Sequence, residues 1–99
     1  DMEHTSITYS DLYNLIPIVE KNHCIPFVRV GSNDELEIKR ALDAGAMGII
    51  CPMINNRSEA EEFVSYMRYP PHGQRSFGPT RAAVAIPGYS VAANEEVLA

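Results

Sequence analysis

The stretch "CIPFVRVGSNDELEIKRALDAGAMGIICPMI", residues 24–54, decides the fold. Its first part, Cys24 to Gly31, is a short and nearly continuous apolar run. Such a run suits a strand buried on both faces, as in a parallel sheet. "SNDELEIKRALDAG", residues 32–45, then changes period. Ser32 with Glu35 three positions later predicts a capping box. Ile38, Ala41 and Leu42 supply a buried helical stripe, and Gly45 is the left-handed stop expected after it. "MGIICPMI", Met47 to Ile54, predicts a second buried strand, with Pro52 ending its regular pairing. Two strands joined by a helix of this length imply a right-handed crossover and parallel pairing.

The same alternation extends outward on both sides. Leu12, Leu15, Ile16 and Val19 recur at i, i+3, i+4, i+7 and form one apolar helix face. Pro17 falls inside it, which predicts a kink or a split near Asn14 to Pro17. Downstream, Ser58 and Glu61 predict another capping box. Ala60, Phe63, Val64 and Met67 repeat the helical spacing until Pro70-Pro71 stops it. From Pro70 to Gly88 the chain is rich in Gly and Pro and lacks a clear period. Long connections of that kind are commonly functional, and this one carries His72, Arg75 and Arg81. The last stretch, "SVAANEEVLA", reads as a helix cut short by the chain end. "DMEH", residues 1–4, reads as the tip of a further strand. Two or three parallel strands leave bare edges and cannot close a barrel. The expectation is therefore a single incomplete α/β unit over residues 1–99, an internal piece of a longer protein.

Composition narrows the classes of function. The 99 residues carry a net charge of −5, without the Lys/Arg clustering that a phosphate-binding surface needs, which argues against a nucleic-acid partner. No apolar run approaches the ~20 residues of a membrane span, and the first residues do not have a signal-peptide pattern. Cys24 and Cys51 are far apart, without metal-ligand spacing, and fall in apolar segments. They read as reduced, buried thiols of a cytoplasmic protein.

In parallel α/β folds, ligands bind at the carboxyl ends of the strands. The first such end offers Asp1, Glu3 and His4, the second Arg29, the third Pro52, Met53 and Asn55. Arg29 is the most informative. A guanidinium cannot be neutralised, so in "FVRVG" it must meet an anion. That anion is either a neighbouring carboxylate, Asp1 or Glu3, or the carboxylate or enolate of a substrate. His4 is either a satisfied core histidine or an acid/base group. Strand alternation would place Glu3 and His4 on opposite faces unless a loop follows at once. His23 precedes a strand, at the opposite end, and reads as structural or solvated. Asp43 sits in the last turn of a helix, where its charge opposes the helix dipole. It is either tolerated on the surface or kept to bind something, such as a neighbouring subunit. The acids from Glu59 to Glu62 read as a solvated helix face. The residues by themselves support an α/β piece in which a cation and an imidazole face an anionic ligand. They contain no Gly-rich phosphate loop.

Taken in order, "DMEH", "PFVRVGSND", "IKRALDAGAMGIICPMINNRSEAEEFV" and "RYPPHGQRSFGPTRA" strongly resemble the class II pyruvate aldolases of the hydroxyheptanedioate aldolase type. These belong to the phosphoenolpyruvate/pyruvate superfamily of (β/α)8 barrels. The resemblance implies a partial TIM barrel, roughly strands 2 to 4 with their helices. It implies reversible cleavage of 4-hydroxy-2-oxo acids to pyruvate and an aldehyde, as in aromatic compound catabolism. A divalent metal, Mg²⁺, Mn²⁺ or Co²⁺, would stabilise the enolate as a Lewis acid, held by a Glu and an Asp beyond Ala99. His4 matches the acid/base histidine working through water, and Asp1 a carboxylate supporting it, with Glu3 beside them. Arg29 matches the arginine that binds the pyruvate oxygen. Asp43 matches a residue brought toward a neighbouring subunit's site in a homo-oligomer, trimer or hexamer. Arg75 and Arg81 fall in the loop that resembles the family's glycine-rich, substrate-side loop, although Ser76 stands where Gly is usual. After Arg81, "AAVAIPGY" departs from the family run. Two alternatives accompany this resemblance: a citryl- or malyl-type thioester lyase of the same superfamily, and a non-catalytic, self-assembling α/β fragment.

Overall fold

The computed structural model describes all residues, 1–99. Seven elements follow in order: α1 (Tyr9–Lys21), β1 (Phe27–Arg29), α2 (Glu35–Asp43), β2 (Gly48–Ile50), α3 (Arg57–Met67), α4 (Thr80–Ala85) and α5 (Tyr89–Glu96). β1 and β2 pair in parallel, Phe27 opposite Gly48, Val28 opposite Ile49 and Arg29 opposite Ile50. Pairing continues beyond both strands. The Met2 N–H donates to the Arg29 carbonyl at 2.8 Å, and Gly48 forms a parallel bridge with Leu98. The sheet thus has four positions, in the order Met2, β1, β2, Leu98. The expected terminal helix instead ends at Glu96, and Val97 turns the chain back into the sheet.

The core lies between the sheet and its helices. Val28, Val30 and Ile49 point toward them and are buried with Ile38, Ala41 and Leu42 of α2 and with Phe63 and Met67 of α3. The opposite sheet face is open: Phe27 is 48% and Ile50 52% exposed. The expectation of strands buried on both faces therefore holds for one face only, because helices cover just that one. In a closed barrel the other face is filled by side chains from the remaining strands.

Several local expectations change. The α2 cap is Asp34, whose carboxylate accepts from the Glu37 N–H at 2.9 Å, not Ser32. The α3 cap is Asn56, accepting from the Glu59 N–H at 3.0 Å, not Ser58. In both cases a short side-chain acceptor in extended backbone, three residues before the N–H it bonds, fits the N-cap geometry. Helix α1 runs unbroken through Pro17. Gly45 follows α2 at φ +112°, as a left-handed stop. The Pro70–Gly88 connection contains α4, too short to show a period. Cys24 is exposed and Cys51 half-buried, both free. Cys24 lies beyond the end of α1, where no helix covers it. No helix is long and apolar enough to cross a membrane.

Candidate functional site

Parallel pairing brings Asp1 beside Arg29 at the carboxyl end of the sheet. Arg29 Nε donates to Asp1 Oδ1 at 2.9 Å, and Nη2 donates to Oδ2. Glu3 Oε2 lies 3.3 Å from Arg29 Nη1. The neighbouring-carboxylate reading of Arg29 is thus realised in full. A guanidinium has five N–H groups, and Asp1 takes one from each of two nitrogens. With Glu3 near Nη1, each terminal nitrogen retains an N–H for a further anion, and the Arg29 side chain is 37% exposed.

Asp1 also shapes the chain that carries the histidine. Its Oδ1 accepts from the Glu3 N–H at 3.0 Å and the His4 N–H at 3.3 Å. An aspartate bonding the backbone two and three residues on makes a tight turn, so strand alternation ends at Glu3. Glu3 and His4 then meet instead of facing apart: His4 Nε2 is 3.4 Å from Glu3 Oε1. Asp1 therefore supports the histidine through its backbone, and Glu3 is the carboxylate that touches the imidazole. Among residues 1–99 the His4 ring is 69% exposed.

Met53 follows β2 at φ +59°, 79% exposed. A left-handed backbone is uncommon for a long side chain, and nothing in the sequence marks it. Asn55 steadies it by donating to the Met53 carbonyl at 2.6 Å. His23 lies at the other end, exposed and left-handed at φ +58°, in line with the structural or solvated reading.

Arg75 and Arg81, expected on the substrate side, lie away from this cluster, as does Asp43, which ends α2 as expected. Helix α2 returns the chain to the amino end of the sheet, and Asp43 and Ala44 lie there. Arg75 is fully buried at that end. It donates to Asp43 Oδ1 at 2.7 Å and to the Tyr89 hydroxyl at 3.0 Å, and its guanidinium stacks on the Tyr69 ring at 4.4 Å. Arg75 therefore does not face a substrate here. Asp43 is held by an arginine of its own chain, which explains how the last turn of α2 accepts a negative charge. Burial pushes the Asp43 carboxyl up, and the Arg75 hydrogen bond and charge oppose that shift. Arg81 donates to the Ala44 carbonyl at 3.0 Å and to Glu20 Oε1 at 3.3 Å. It clamps α1 to the end of α2 instead of reaching the carboxyl face.

No group of three or more His, Cys, Asp or Glu side chains is arranged to hold a metal ion. Asp1 and Glu3, the acids nearest the site, both face Arg29. An apolar groove of about 380 Å³ between α1 and β1 is walled by Leu12, Leu15, Ile16 and Phe27, with Asp1 also in its lining. The polar cluster, not this groove, carries groups able to move a proton or hold an anion.

The family described as HpcH/HpaI aldolase/citrate lyase matches residues 1–98. A hydroxypyruvate/pyruvate aldolase of Rhizorhabdus wittichii is 41% identical over 99 residues, covering 99% of this chain and 39% of that protein. A solved HpcH/HpaI aldolase/citrate lyase family protein from Burkholderia cenocepacia superposes with a TM-score of 0.87 at 30% identity, over 97% of this chain and 41% of that one. The solved citrate synthase SbnG superposes with a TM-score of 0.74 at 41% identity, over 84% of this chain and 34% of that one. The chain spans about two-fifths of the length of the curated relatives it matches. With its parallel β/α units and the Asp1–Arg29–Glu3–His4 cluster at their carboxyl ends, the chain belongs to the HpcH/HpaI aldolase/citrate lyase family and forms part of a (β/α)8 barrel.

Proposed function

We propose that the protein carrying this chain is a pyruvate aldolase that reversibly cleaves 4-hydroxy-2-oxo acids to pyruvate and an aldehyde. The observation that carries this reading is the cluster in which Asp1 and Glu3 aim Arg29 while His4 remains open to water. Cleavage needs a base for the C4 hydroxyl proton. As that proton leaves, the C3–C4 bond breaks, the aldehyde carbonyl forms, and the electron pair passes to the pyruvate enolate. Protonation at C3 then gives pyruvate. His4, acting through water, takes the first proton and returns one to carbon. The free N–H groups of Arg29 hold the oxygen on which negative charge develops. Asp1 and Glu3 fix both groups before substrate arrives.

The side chains of residues 1–99 do not fit a divalent-metal site by themselves. The Mg²⁺, Mn²⁺ or Co²⁺ that belongs to this reading is assigned to a Glu and an Asp outside them. Assembly as a cytoplasmic homo-oligomer, a trimer or hexamer, belongs to the same proposal.

His4→Ala tests it. In deuterated water, the variant is expected to lose exchange at the methyl group of pyruvate while still binding pyruvate. Wild-type exchange in that variant would remove His4 from the proton transfer. The likeness to citrate synthase SbnG favours a second reading, a citryl- or malyl-type thioester lyase. Turnover of acyl-CoA substrates in preference to 4-hydroxy-2-oxo acids would establish it.

A further inference from the structure

Glu37 takes no part in the chemistry above, yet its carboxylate organises the turn that follows Arg29. Glu37 Oε2 accepts from the Gly31 N–H at 3.1 Å and from the Ser32 N–H at 3.2 Å. Two consecutive peptide groups converging on one oxygen fix both peptide planes. Each neighbouring residue has an anchor of its own. Val30 is fully buried and donates its N–H to the Ile50 carbonyl at 3.1 Å. Asn33 Nδ2 donates to the Glu59 carbonyl at 3.3 Å and to Glu62 Oε2 at 3.2 Å. Asp34 caps α2. Gly31 and Ser32 are exposed, and Glu37 is the group that ties their N–H groups. A glycine here makes that tie consequential, because an unheld glycine is the freest point in a backbone.

Arg29 sits two residues before this turn. Its carbonyl accepts the Met2 N–H, so any shift of the strand end is also felt by the Asp1–His4 segment. We propose that Glu37 is a positioning residue: by fixing the Gly31–Ser32 turn it holds Arg29 in register with Asp1, Glu3 and His4. The proposal rests on the aldolase reading of Arg29. Glu37 touches neither substrate nor reacting atoms and acts through the backbone.

Two variants of the protein at its natural length test this. Leu keeps the approximate size of Glu37 but accepts nothing, whereas Gln retains one acceptor oxygen without the charge. Glu37→Leu is expected to lower kcat about tenfold, because small misplacements of a binding group are costly to the chemical step. It is also expected to speed amide hydrogen exchange at Gly31 and Ser32, and Glu37→Gln is expected to restore most of both. In an Arg29→Lys background, Glu37→Leu is expected to add no further loss, because the group it positions is already gone.

Unchanged protection at Gly31 and Ser32 in Glu37→Leu would overturn the proposal. So would lost protection with wild-type kcat, or a full, additive loss on top of Arg29→Lys. Absence of cleavage in the wild-type protein overturns the aldolase reading itself. The exchange data then separate that failure from a failure of the turn.

Discussion

Arg29 and Arg75 each meet an aspartate, but their surroundings assign them different tasks. Arg29 is partly exposed at the carboxyl end of the sheet and keeps donors free. Arg75 is fully buried at the amino end, between tyrosine rings, with Asp43 as its anion. Arg29→Lys is expected to cut kcat/KM by more than ~10²-fold, because a compact ammonium cannot hold Asp1 in two places and also present N–H groups to an enolate. Steady-state kinetics on a 4-hydroxy-2-oxo acid checks this, and unchanged kinetics removes Arg29 from the mechanism. Asp43→Asn is a stability variant. It strands a buried guanidinium, and losing one partner of a buried pair costs about 3 kcal/mol or more. The double variant Asp43→Leu/Arg75→Met is expected to recover much of that loss in urea unfolding, since no charge is left stranded. The sequence marks Asp43 as anomalous through its clash with the helix dipole. It cannot name the partner, because Arg75 lies 32 positions away and only the return of α2 to the sheet's amino end brings them together. For the same reason Arg75 and Arg81 look like free cations in the sequence and are engaged internally in the fold. Arg29 is more legible, because its two possible anions, Asp1 and Glu3, lie at an adjacent strand end.

Among the elements, α2 agrees fully with its apolar period, whereas the expected α1 and α3 faces agree in part, with Leu15 and Val64 exposed. The α2 stripe of Ile38, Ala41 and Leu42 is fully buried, because three apolar side chains on one face leave a single way to pack. Cap positions shift by two residues, since Ser, Asp and Asn compete for the same role and local geometry chooses among them. Helix α4 was hidden in the sequence, whereas α5 was expected and only its end differs, at Glu96. α4 has six residues, too few for a repeat, and α5 buries only Tyr89 and Ala93. The Pro70–Pro79 connection has its own constraint at Gly73. The Gln74 N–H donates to the Ser65 carbonyl at 2.8 Å and the Arg75 N–H to the Arg68 carbonyl at 2.9 Å, so this segment runs tightly along the end of α3. A Cβ at Gly73 would collide with the Ser65 carbonyl and come within 2.6 Å of that of Arg68. Gly73→Ala is expected to cost about 2 kcal/mol, in the range for overpacking a tight site. Because Arg75 follows two residues later, the cost should fall when the Arg75–Asp43 pair is already absent. Chemical denaturation of the single and combined variants measures that coupling.

At the scale of the chain, two tyrosine-lined seams matter most. Tyr9 packs at the seam of α1 and α2, where Arg40 lies 5.7 Å from its ring. Tyr69 sits beyond α3, its backbone N–H and carbonyl both bonded by the Asn94 amide of α5, with Arg75 over its ring. Burial pushes both phenols up, to about 12. At Tyr9, the Glu37 and Asp34 charges add to the shift and Arg40 opposes it. At Tyr69, Arg75 opposes burial. A phenol whose folded pKa exceeds its unfolded value near 10 ionises first in the unfolded chain. Raising pH through that window therefore favours unfolding, and the loss levels off once the folded phenol ionises near 12. Both seams are expected to weaken together between pH 10 and 12. Tyr69→Phe and Tyr9→Phe should each flatten part of the decline, because phenylalanine has no proton to lose. Urea unfolding at pH 9 and pH 11 provides the comparison, with ultraviolet titration reporting the late-ionising phenols. Identical pH slopes in the wild type and both variants would show that neither phenol couples its proton to the fold.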